Sequence, residues 1–261
     1  MNQTDNSFLS VDAEFGLIQP GRNYFRLVGW FCVASAVAHV FALLLSLQVV
    51  RIGDLLAFSP VKLMRFISDH QLLWRSCCLL NAIASVSSVL IFLMFNMIVD
   101  RKVRILTRVG MILTIIACAS ELNAYASFMV LLSDLAVQLK LNSSYLKNDL
   151  LQLAWVIINQ SLAQILLVGN TLWSVAGLLA TIAILQTKSM PKWLVWIGMP
   201  VWLLSFTATC VAFIGDLSLC FSMMLAFSLG FVLWTVCLAI ILDLHARPEP
   251  APPPKQLAES N

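Results

Sequence analysis

Apolar residues fall in six long blocks, at about 27–50, 72–99, 105–132, 161–186, 193–215 and 217–242, with short polar or basic stretches between them. Within each block the apolar positions run almost without interruption. They do not alternate, so the period-2 pattern of a membrane barrel is missing. Blocks of about 20 apolar residues predict membrane-spanning helices. Helices also give every backbone polar group an internal partner in lipid. The expected fold is therefore all-α: a polytopic membrane protein with a six-transmembrane-helix bundle.

The connections add detail. Residues 1–26 read as a short aqueous segment, broken by Pro20 and Gly21 before Arg22 and Arg26. After the first block, Ser59 and Pro60 form a helix start, with Ser as cap and Pro at the first helical position. Lys62, Arg65, Ser68 and Asp69 then share one face, and Leu63, Met64, Phe66 and Ile67 the other. That pattern predicts an interfacial amphipathic helix after the first span; a loop helix packed on the bundle is the alternative. Residues 133–149 read as a polar loop. From Leu150 to Thr187 no charge occurs. A straight helix over that range reaches about 57 Å against about 30 Å of hydrocarbon, so its first turns are expected outside the membrane. The tail 243–261 is rich in proline and favours extended polyproline conformation.

Composition supports the same class. The chain of 261 residues is 60% hydrophobic and 11% charged, whereas soluble domains carry about 25% charged residues. With six spans, the segments on one side hold Arg51, Lys62, Arg65, Arg75, Lys140 and Lys147, and the other side holds the remaining ten of the 16 Lys and Arg. This bias predicts both termini in the cytoplasm and residence in the plasma (inner) membrane. The net charge of +3 is spread thinly, and no basic patch suggests nucleic acid. The seven cysteines, mostly inside apolar blocks, are odd in number and wrongly placed for a disulfide framework. They read as small packing residues.

Small residues suggest close helix contacts: Ser222, Ala226 and Gly230 in the sixth block, and Ala176, Gly177, Ala180 and Thr181 in the fourth. Blocks one, three and five open alike, each with a glycine: Gly29, Gly110 and Gly198. Ten or eleven residues on come His39, Glu121 and Thr209. This spacing suggests three hairpins repeated in parallel.

Glu121 is the acid near the middle of the third block, and His39 is the titratable side chain inside the first. An acid at the centre of a membrane helix costs about 2.5–3.5 kcal/mol on insertion scales and faces the bundle interior or water. Both residues lie about 16 Å in from the same end of their spans at 1.5 Å per residue. Asn81, Asn123 and Asn170 lie near that depth. The five residues His39, Asn81, Glu121, Asn123 and Asn170 therefore form the candidate ligand-binding or proton-relay layer, with Glu121 expected to meet the His39 imidazole. A purely structural hydrogen-bonded pair is the alternative.

Other chemistries find less support. A membrane bis-His haem site needs two histidines in spans, and only His39 qualifies. No ligand spacing selects a metal, no lysine sits inside a span, and no nucleophile–base set appears, so neither cofactor nor catalytic residue is assigned. The layout resembles a family of bacterial six-span membrane proteins classed as a domain of unknown function. The resemblance covers about residues 22–242 and rests on Arg26-x-x-Gly29, the basic turn Asp100 to Arg108, and Met190-Pro191-Lys192-Trp193-Leu194 leading to Gly198. It implies the fold and assigns no residue a role. The expected function is binding or transport of a small ligand or proton at the polar layer. The alternative is an accessory or assembly subunit that meets a membrane-protein partner or a second copy of itself.

Overall fold

The computed structural model describes residues 9–12, 17–20, 22–53, 59–141, 147–187 and 190–246. The Pro-rich tail beyond Ala246 lies outside the described residues. Two short strands come first, β1 (Leu9–Asp12) and β2 (Leu17–Pro20), paired antiparallel with Leu9 opposite Pro20. The rest is helical: α1 (Arg22–Gly53), α2 (Pro60–Asp69), α3 (Gln71–Ile98), α4 (Arg104–Ser127), α5 (Ser133–Leu141), α6 (Lys147–Leu162), α7 (Asn170–Gln186), α8 (Trp193–Ile214) and α9 (Leu217–Ala246). A single 3₁₀ turn, Arg101–Val103, leads into α4. Two π-helical stretches, Phe128–Leu132 and Ala163–Gly169, join α4 to α5 and α6 to α7.

Six helical runs among the described residues are long and apolar enough to cross a membrane: Asn23–Val49, Gln71–Ile98, Arg101–Leu141, Lys147–Gln186, Trp193–Ile214 and Leu217–Ala246. Each packs on its sequence neighbours, and α9 returns to α1, so the spans close into a ring. The outside of the ring is apolar. Trp30, Ile105, Trp196, Phe213 and Ile214 are all largely exposed there. Such a surface suits lipid, not water, and the protein is a multi-pass membrane protein.

The third and fourth runs, of 41 and 40 residues, are longer than the hydropathy blocks suggest. At 1.5 Å per residue each reaches about 60 Å, twice the hydrocarbon thickness. The expected polar loop 133–149 is therefore helical through Leu141 and again from Lys147. Asp134 and Lys140 ride on α5 beyond the apolar block. There α5 and α6 meet α2 and build a cap on one end of the ring. Met64, Phe66 and Ile67 of α2 are buried in this cap with Leu132, Leu135 and Ala154. Helix α2 is thus a loop helix whose apolar face packs on protein. Its start is the predicted one, since the Ser59 hydroxyl accepts from the Lys62 N–H and Pro60 opens the helix. Lys140 donates to Asp69 at 2.9 Å across the cap. That ammonium holds the Asp69 carboxyl below its usual range.

The hairpin between α8 and α9 needs almost no loop. Gly215 takes φ +94° in the left-handed region, which glycine adopts without steric cost. The Asp216 carboxylate then accepts from the Leu219 N–H at 3.0 Å and starts α9. At the opposite end, the Lys192 ammonium lies on the carbonyl oxygens of Ile184, Leu185 and Thr187, neutralising the negative end of α7.

The two halves of the ring differ. The half where α1 begins and α9 finishes is solid, with Val28, Phe95, Ala180, Leu194 and Leu238 in one buried cluster. Its upper surface is a layer of rings around Trp202: Phe92, Phe227, Phe231 and Trp234 all lie within 6.1 Å, centroid to centroid. The Trp202 and Trp234 indole N–H groups have no acceptor, so this layer is held by shape. Gly177 makes it possible. A Cβ there would lie 1.9–2.3 Å from Trp202 ring atoms. Ala176, Gly177, Ala180 and Thr181 are all buried, as their spacing predicts, whereas Ser222 and Ala226 are exposed. Gly29 and Gly110 likewise approach the carbonyls of Ala239 and Ala176, at 3.5 and 3.3 Å from a built Cβ.

Gly177→Ala overpacks this layer, and a loss of at least about 1–3 kcal/mol is expected. Thermal unfolding in detergent checks this. The cost of Trp202→Leu should be smaller in the Gly177→Ala background than alone, because the two changes act on one contact.

Candidate functional site

Above the aromatic layer the ring is hollow. A cavity of about 460 Å³ extends from Trp202 towards the first turn of α2, where Ser59, Pro60 and Leu63 border it. One wall is a polar stripe on α3: Cys77, Asn81, Ser85 and Ser88. Intervals of four, four and three residues put them on a single helix face. Most of the remaining wall is apolar or aromatic, including Leu43, Phe128, Trp155, Leu166 and Phe231.

Glu121 enters the cavity from α4 and is 9% exposed. Its Oε2 accepts from the Ser85 hydroxyl at 2.6 Å, and the Trp173 indole lies nearby. The carboxyl needs the room left at Gly169, where a Cβ would stand 2.9 Å from Glu121 Cγ and 3.0 Å from Oε1. Gly169 ends a π-helical stretch. Carbonyls displaced from regular helix bonding in both π stretches accept from side chains: Gln164 O from Ser120 at 3.1 Å, and Phe128 O from Trp74 at 2.8 Å. Such stretches cluster at functional sites.

His39 enters from α1 and does not meet Glu121. The expected carboxylate–imidazole contact is replaced by two separate serine contacts one turn apart on α3. His39 Nδ1 lies 2.8 Å from Ser35 O, and a carbonyl only accepts, so Nδ1 carries the proton. Nε2 lies 3.4 Å from Ser88 Oγ, which is also 3.2 Å from Ala84 O and has one proton for two acceptors. The imidazole stacks at a tilt on Phe231, 4.7 Å between centroids.

Asn81 borders the cavity and donates to Ser46 Oγ at 3.0 Å and to Cys77 O at 2.8 Å. Asn170 also borders it, but its amide is committed to α8. It donates to Ser205 O at 2.7 Å and to Thr209 Oγ1 at 2.8 Å, and accepts from Ser205 Oγ at 2.6 Å. Asn123 is exposed on another face of α4 and donates to Gln164 Oε1 at 3.1 Å. The structure therefore gathers His39, Asn81 and Glu121 around one cavity, uses Asn170 as a clamp between α7 and α8, and leaves Asn123 outside.

The lining residues that the sequence did not single out include Ser85, Ser88, Tyr125 and Trp173. The two serines were detectable, four and seven residues beyond Asn81 on the same stripe. Tyr125 lies one turn beyond Glu121. Trp173 carries no sequence signal, because tryptophan suits lipid, packing and cavity equally.

Among the described residues the lining holds one acid, Glu121, one histidine, His39, and no Lys or Arg. No family model, curated protein or solved structure matches the chain. The reading of the cavity rests on its own geometry.

Two measurements check these assignments. Asn170→Ala should cost about 0.6–1.7 kcal/mol in thermal unfolding, the range of interhelical hydrogen bonds in membranes, while Asn123→Ala changes stability little. Gly169→Ala should lower stability by about 1–3 kcal/mol, since the methyl group meets the Glu121 side chain and the Gln164 carbonyl.

Proposed function

We propose that the protein binds a small, largely apolar molecule in this cavity, with Glu121 and the α3 stripe receiving its polar group. The observation that carries the reading is a chamber of about 460 Å³ among the spans, walled by apolar rings and one polar stripe. Ligand sites of about 300–1,000 Å³, mostly apolar with a few convergent polar groups, have this character. A buried carboxyl bordering such a space is a functional-site candidate by its cost alone.

Access is from the α2 end. On the Lys and Arg distribution that end is extracytoplasmic, with both termini in the cytoplasm. Release to the other side would require the layer around Trp202 to part. The reading is therefore a binding protein or one state of a transporter, and a continuous proton wire fits less well, because the solid half below Trp202 is packed with hydrocarbon.

Ser228 borders the cavity from α9. Ser228→Phe should fill the space. Fluorescence titration of the purified protein with environment-sensitive naphthalene probes should give saturable binding, weakened at least ten-fold by Ser228→Phe with the melting temperature retained. Binding unchanged by that substitution removes the cavity as the site.

A further inference from the structure

The charge balance of the cavity narrows the ligand class. Glu121 is bordered by neutral groups, the Ser85 hydroxyl that donates to it and the Trp173 indole, and among the described residues the lining has no Lys or Arg. Two bases of the cap face acids elsewhere: Arg75 lies 4.0 Å from Asp134, and Lys140 is bound to Asp69. The titratable groups around the carboxyl are His39 from α1, Cys77 and Cys78 from α3, and Cys118 and Tyr125 from α4 itself. The lining residues from α7, α8 and α9 are not titratable. Of these groups only His39 can become positive, and it is held by Ser35 and stacked on Phe231, not bonded to the acid.

A carboxylate in a low-dielectric site needs a countercharge or a proton. An anionic ligand would meet the acid with nothing to offset it. A cation would be matched three ways. The carboxylate has about four lone-pair sites, of which Ser85 occupies one. Tyr125, Trp173 and Phe231 border the same space, and aromatic rings attract cations. The apolar wall accommodates the rest of the molecule.

We infer that the chamber takes lipophilic monocations, organic amines with an apolar body, whose ammonium group is received by the Glu121 carboxylate, and that a proton competes for the same place. This inference rests on the ligand-binding reading above. As pH falls, a proton takes that place on the empty carboxyl. Binding of the ammonium replaces that proton, which leaves to solvent, so charge within the chamber is conserved.

The test uses dansyl-pentylamine and its N-acetylated form, which share an apolar body and differ in charge. Both are titrated by fluorescence into the full-length protein in nanodiscs. The amine should bind at least ten-fold more tightly than the amide at about pH 8. Its affinity should fall by up to about ten-fold per pH unit once the carboxyl protonates, while the amide is insensitive. Glu121→Gln should abolish the preference for the amine over the amide, and Glu121→Asp should retain it. Should Glu121→Gln fail to fold, the pH series on the unmodified protein decides alone. Equal, pH-independent binding of amine and amide, each blocked by Ser228→Phe, overturns the cation inference and leaves the chamber as a site for neutral ligands. Binding of both probes that ignores Ser228→Phe overturns the chamber reading, and this inference with it.

Discussion

A carboxyl group among apolar helices, with only neutral donors to receive it, is the constraint around which this molecule is arranged. Glu121 cannot face lipid at tolerable cost, so α4 must turn it inward. Turned inward, it needs a hydroxyl from α3 and, next to α7, a backbone position without a side chain at Gly169. Three neighbouring spans are thereby fixed in rotation about their axes. His39 makes a similar demand on α1, met by a different serine of the same α3 face. The α3 stripe is the shared scaffold of both titratable groups, which is why acid and imidazole can border one cavity without touching.

The ring is stable around a void because its two ends are built by different means. One half is dense hydrocarbon with an aromatic layer on top, in which Trp202 lies over the bare backbone of Gly177. The other end is covered by α2, α5 and α6, which form a small apolar cluster of their own. Between the two, the polar stripe and the carboxyl interrupt the packing. Large rings and branched side chains border that space without filling it, because filling it with hydrocarbon would strand the polar groups without partners.

The number and placement of the spans were legible in the sequence. Long apolar blocks must become helices in lipid, whatever their neighbours do. The Ser59–Pro60 start of α2, the small-residue face of α7 and the inward-facing acid followed from local chemistry in the same way. The extents of α4–α5 and α6–α7 were not legible. Hydropathy reports where lipid begins, and these helices continue past that boundary with charged residues such as Asp134 and Lys140. Helix α2 read equally well as interfacial or packed, since an apolar face does not say what covers it. Asn123 and Asn170 lay near the depth of Glu121, but depth along a helix does not give rotation about its axis.

The sequence by itself determined that this chain is a six-span helical membrane protein with a costly acid and a histidine near one level, because transfer of side chains and backbone into lipid is a local property of each segment. Tertiary structure alone decided who meets whom: Ser85 with Glu121, Ser88 with His39, Trp202 over Gly177, and a cavity where the layers fail to close. Those pairings depend on how ridges of one helix seat against the next. A periodic pattern fixes one face of each helix, while the partner facing it is set by the other five.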